Sequence, residues 1–122
     1  MLVVNIISED KIEVENLKSI LRSRAIAVRS FRRLEELTPP HLGSTECVLM
    51  ALDETILGGD HFFEKLQKLN NRLPIIMMVD IALFRHLPKH YFGNGISFIH
   101  RPVKSVELFS LLDIFKRSYY FD

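Results

Sequence analysis

Apolar residues along this chain fall into short continuous runs separated by amphipathic segments. Four runs stand out, at residues 2–7, 25–28, 47–52 and 75–79, with a shorter fifth at 96–99. Most are continuous rather than alternating, as expected of strands buried on both faces of a parallel sheet. Between them lie segments with helical periodicity. Val14, Leu17, Ile20 and Leu21 share one face of the first, with Glu13, Glu15, Lys18 and Arg22 elsewhere. Phe62, Phe63, Leu66 and Leu69 line one side of another. The last carries Leu108, Leu111, Leu112 and Phe115 on one face, with Ser105 as the expected N-cap and Glu107 in its first turn.

The breaks between runs fit the same scheme. Pro39-Pro40 precedes the third strand, Gly58-Gly59 follows it, and Gly93-Asn94-Gly95 precedes the fifth. Strands alternating with helices predict right-handed βαβ units in a doubly wound sheet. At this length the pattern predicts one flavodoxin-like (βα)5 α/β domain of three layers, spanning residues 1–122. Two helical segments depart from the pattern. Residues 32–37 are short, and Pro88 interrupts residues 81–91, which predicts a broken or shortened fourth helix.

Composition narrows the function classes. A chain of 122 residues with 48% hydrophobic content can bury one real core. A formal net charge of +1 favours neither nucleic acid nor an anionic membrane as main partner. The single cysteine, Cys47, excludes an internal disulfide and predicts a reducing, cytoplasmic setting. The apolar start lacks a basic n-region and a cleavage site, and no run approaches the ~20 residues of a membrane span. There is no glycine-rich phosphate loop after the first strand, which argues against a dinucleotide or flavin enzyme. His86 and His90 have helical metal-ligand spacing, but Pro88 lies between them. No basic, aromatic-interleaved helix suggests direct DNA reading.

Open α/β sheets bind ligands beyond the carboxyl ends of their strands. Those ends should carry Ser8, Glu9 and Asp10, then Asp53 and Glu54, then Asp80, then His100 and Arg101. Converging carboxylates are what a hard cation such as Mg²⁺ needs, and an Asp beside such an ion can act as nucleophile toward a phosphoryl donor. A cation from another strand would pair with the phosphoryl oxygens.

Across its whole length the chain resembles the receiver domains of two-component response regulators. The resemblance rests on Val48-Leu49-Met50-Ala51-Leu52-Asp53 with Gly59-Asp60 beyond it, on Leu73-Pro74-Ile75-Ile76-Met77-Met78, and on Phe98-Ile99-His100-Arg101-Pro102. It implies a five-stranded parallel sheet of order 2-1-3-4-5, with Asp53 as phosphoacceptor and Glu9 and Asp53 as metal ligands, Ser8 nearby. It also implies switch positions at Val79, Phe98 and Arg101. The departures are specific. Ser8-Glu9 stands where the family has two acidic residues, Val79 where it has a hydroxyl, and Arg101 where it has a lysine. Leu57 replaces a turn proline, and His61 a glycine before the third helix. The site is therefore expected to be degenerate, with Mg²⁺ held weakly if at all.

The resemblance implies a signalling module and not an enzyme. Its partners would be an attached output domain, transcriptional in type, or a second copy in a homodimer, with a histidine kinase upstream. The face formed by the fourth helix, fifth strand and fifth helix is the implied contact surface, with Phe84, Leu108, Phe115 and Tyr119 as candidates. The chain would be a stand-alone domain or the N-terminal part of a larger regulator. Two alternatives stay open: an active receiver phosphorylated on Asp53, and a pocket that binds a nucleotide through Arg101 with Arg85 or Lys89.

Overall fold

A computed structural model describes residues 2–37, 45–53, 64–65, 68, 74–92 and 96–119. Five parallel strands, β1 (Leu2–Ile7), β2 (Ala27–Phe31), β3 (Thr45–Ala51), β4 (Ile75–Val79) and β5 (Ser97–His100), form one sheet of order β2-β1-β3-β4-β5. The helices are α1 (Lys11–Arg22), α2 (Ile81–Arg85) and α3 (Ser105–Tyr119), with 3₁₀ turns at Leu34–Glu36 and Lys89–Tyr91. Glu64, Lys65 and Lys68 are helical, between β3 and β4 in the chain. The rest of the helix expected over Phe62 to Leu69, with Leu57, His61 and the glycine and proline breaks, lies outside the described residues.

The continuous apolar strands have the expected cause, because side chains from alternate positions fill a core on each face of the sheet. Val4, Ile6, Leu49, Ile76, Met78 and Ile99 pack under Leu17 and Leu21 of α1 and Leu108, Leu112 and Phe115 of α3. Ile7, Val48, Met50, Met77 and Val79 turn to the opposite face, against Leu87, Tyr91 and Ile96. Each such side chain, fully buried, contributes about 1.5–3 kcal/mol of transfer free energy.

Some boundaries differ from the sequence pattern, and the expected break in the fourth helix is present. The second strand begins at Ala27 rather than Ala25, because the preceding residues close α1. The amides of Ala25 and Ile26 donate to the carbonyls of Arg22 and Leu21, at 3.0 and 3.2 Å, with Ala25 at φ 57°. This is a Schellman ending with alanine in the left-handed position that usually takes glycine. The fourth helical segment is shortened as Pro88 predicts, to the five residues of α2 and a separate 3₁₀ turn. Ser105 is the first residue of α3 rather than its cap, since the Lys104 carbonyl accepts the Leu108 amide.

One polar group interrupts the apolar sheet. Asn5 of β1, 0% exposed, donates through Nδ2 to Glu46 Oε1 and to the Cys47 carbonyl of β3, at 3.1 and 3.2 Å. The same Glu46 oxygen accepts from the Arg29 guanidinium of β2. A nearly buried carboxylate is tolerated because a charge and an amide both reach it.

Candidate functional site

The carboxyl ends of β1, β3, β4 and β5 come together at one edge of the sheet. Asp53, two residues past β3, is exposed there. Its strand neighbour supplies the support, as the Leu52 amide donates to the Met78 carbonyl at 2.9 Å. Beside β3, β4 ends in Val79, 0% exposed and packed in the core face opposite α1. The Arg101 amide donates to the Val79 carbonyl at 3.0 Å, which ties the end of β5 to β4. Arg101 is followed by a cis peptide bond to Pro102.

The loop after β1 is organised around helix α1. Asp10 is the N-cap, its Oδ1 accepting from the amides of Ile12 and Glu13 at 3.0 and 3.1 Å. Ser8, 6% exposed, accepts the Asp10 amide on Oγ at 3.1 Å and donates its hydroxyl proton to Glu13 Oε1 at 2.9 Å. Glu13 is also the partner of Arg101. Nε of Arg101 donates to Oε2 at 2.7 Å and Nη2 to Oε1 at 2.8 Å. This bidentate pair is mostly shielded, its side chains 19% and 13% exposed. Such fork-to-fork geometry is the strong form of the interaction.

Glu13 was not a candidate on the sequence, where it reads as one charged residue on the solvated side of a helix. Asp10-x-x-Glu13 has the spacing of a capping box, in which the glutamate would fold back on the N-cap amide. That amide goes to Ser8 instead, and the glutamate spans to β5. Capping-box spacing is the only sequence signal at Glu13, and it does not point to Arg101.

The expected metal ligands, Glu9 and Asp53, are both exposed. Glu9, with its side chain 55% exposed, lies 3.7 Å from Arg33 Nε, while the Ser8 hydroxyl and Asp10 Oδ1 are engaged at the start of α1. Among the described residues no group of three or more His, Cys, Asp or Glu is placed to hold a metal.

The remaining candidates fall on two sides. Phe98 is half-buried in an aromatic group with Phe84 and Phe92, with ring centroids 5.7 and 5.2 Å away. The His100 ring meets Phe84 edge-on at 5.3 Å. Phe84 is therefore partly available at the surface, and Phe92 is exposed. Leu108 and Phe115 are 0% and 4% exposed and belong to the core, because their spacing places them on the stripe of α3 that faces the sheet. Tyr119 ends α3, and its side chain lies outside the described residues. Arg85 and Lys89 are exposed, on α2 and in the turn after it. Burial pushes the Cys47 thiol up to about 12, with the Glu46 charge adding to it, which leaves it unreactive. Among the described residues no helix is long and apolar enough to cross a membrane.

No protein-family model matches the chain, nor does any curated protein sequence. Solved structures do. A CheY-like protein (TadZ) from Pseudomonas aeruginosa superposes with a TM-score of 0.73 at 19% identity, over 94% of this chain and 99% of that one. The receiver domain of a sensor histidine kinase from the same organism, with magnesium coordinated in its active-site cleft, gives 0.73 at 18% identity, over 95% and 98%. The response regulator StyR gives 0.68 at 19% identity, over 98% of this chain but 59% of that one, so the chain spans little more than half of that regulator. The fold is that of the receiver domains of two-component response regulators, with the strand order 2-1-3-4-5.

Proposed function

We propose that this chain is a receiver-type signalling module whose phosphorylation switch is degenerate. It works by contact with an output domain or a second copy, in the cytoplasm, rather than by carrying a phosphoryl group on Asp53. The observation that carries this reading is the commitment of Arg101 to Glu13. In a working switch the cation from β5 must be available to phosphoryl oxygens, and here a carboxylate of the same chain holds two of its donors. Val79 supports the reading, since a valine offers no hydrogen bond to a phosphoryl oxygen. The aromatic group formed by half-buried Phe84 and Phe98 with exposed Phe92 is the surface we assign to the partner contact.

The test is incubation with Mg²⁺ and a small phosphodonor, or with beryllium fluoride, followed by intact-mass and sedimentation measurements. Little or no capture is expected, and no change in oligomeric state. Stoichiometric capture that Asp53→Asn abolishes, with a change in association, would establish the active receiver instead.

A further inference from the structure

We propose that Glu13 is a resident anion, occupying the Arg101 guanidinium as an oxyanion would and closing it to free phosphate. Three donors converge on this one carboxylate: the Ser8 hydroxyl at 2.9 Å, Arg101 Nη2 at 2.8 Å and Arg101 Nε at 2.7 Å. A planar guanidinium fork fits carboxylate and phosphate oxygens equally well. Ser8, more than nine-tenths buried, is itself fixed by the Asp10 amide, so the cradle is preorganised and not a chance surface pair. It opens on solvent, because the wall of a cleft of about 470 Å³ between α1 and the segment after β5 includes Glu13, Asn16, Asp80, Arg101 and Val103. With its own carboxylate in place the cradle is satisfied, and a second anion entering the cleft would face the carboxylates of Glu13, Asp80 and Asp10.

The inference deepens the degenerate-receiver reading, because it names what keeps Arg101 from a phosphoryl group. Its geometry needs only Ser8, Glu13 and Arg101. Replacing Glu13 by glutamine keeps the size and an acceptor oxygen but removes the competing charge, so phosphate should then gain the guanidinium.

The experiment follows the Arg101 side-chain Nε–H resonance during titration with inorganic phosphate, against chloride at matched ionic strength. In the unaltered protein the resonance should not move. In Glu13→Gln it should shift saturably, with an apparent affinity at least tenfold above that of the parent, and adding Arg101→Gln should abolish the phosphate-dependent rise in melting temperature. Glu13→Asp, which keeps the charge but shortens the reach, should give a smaller response and serves if Glu13→Gln does not fold. A phosphate shift in the parent equal to that in the variants, or none in any variant, overturns the proposal. Repeating the titration with Asp53→Asn separates the two readings: the response should persist, and dependence on Asp53 would count against a resident anion at Glu13.

Discussion

Ala25 offers a direct measurement of the turn that ends α1. It holds φ at 57° with its side chain exposed, so no packing is lost or gained on changing it. The left-handed conformation costs an L-residue with a Cβ about 1–2 kcal/mol. Glycine removes that cost but loosens the unfolded chain by about 0.4–1 kcal/mol. Ala25→Gly should therefore stabilise the protein by about 0.5–1 kcal/mol. The hydrogen bonds of the turn involve only backbone atoms, so glycine keeps all of them. Urea unfolding followed by far-UV circular dichroism is the assay. With a slope of about 1–3 kcal/mol per molar for a small protein, the midpoint should rise by about 0.2–1 M with the slope unchanged. Ala25→Val is the opposing control and should lower the midpoint, since a β-branched residue tolerates this region least. A midpoint for Ala25→Gly that is unchanged or lower, at constant slope, would show that residue 25 does not sit in the left-handed region in solution.

Two other outcomes follow from buried groups. Val79→Thr places a hydroxyl at a fully buried position and should cost about 1–3 kcal/mol in the same unfolding assay, without restoring phosphodonor capture. An unchanged stability together with new capture at Asp53 would contradict the account of that strand end. Cys47 sets an alkaline limit. Its native pKa lies above its ordinary value of 9.0, so the folded state keeps a proton that the unfolded state loses. That contribution is complete below pH 9 and is lost as pH rises toward about 12, at a slope approaching about 1.4 kcal/mol per pH unit. Cys47→Ala should flatten the fall in stability between pH 9 and 10, before Tyr91, also raised by burial, adds to it. A parallel decline in both proteins would refute this.

The five strands were legible because both faces of the sheet are covered, which leaves runs of uninterrupted apolar residues. The second was the hardest to place. It is an edge strand that includes Arg29 and Ser30, and its apolar start at Ala25-Ile26 is spent on closing the preceding helix. Pro88 announced the broken fourth helix through its geometry alone. The departures at Ser8, Val79 and Arg101 were visible one position at a time. The link between Ser8 and Arg101 was not, because the carboxylate that binds both lies in α1, 88 residues from Arg101. Periodicity reports which face of a helix is wet, and it cannot tell a solvated glutamate from one that reaches another strand. The resemblance, not periodicity, put Leu108 and Phe115 on a contact surface, whereas the apolar stripe they belong to faces the sheet.

The polar group of Asn5, Arg29 and Glu46 has a consequence for how the chain finds its pairing. Strands that are apolar on both faces carry little information about alignment, since sliding β3 along β1 by two residues sets apolar side chains against apolar side chains again. When β3 slips toward the amino ends of the strands, Glu46, which is aligned with Val3, moves about 6.6 Å further from Asn5 and Arg29 at the usual rise per residue. It would leave a carboxylate in the interior without the charge and the amide that make its burial tolerable. Three polar residues on three neighbouring strands thus act as a one-sided index mark, penalising a slip of β3 in that direction, which hydrophobicity alone would accept.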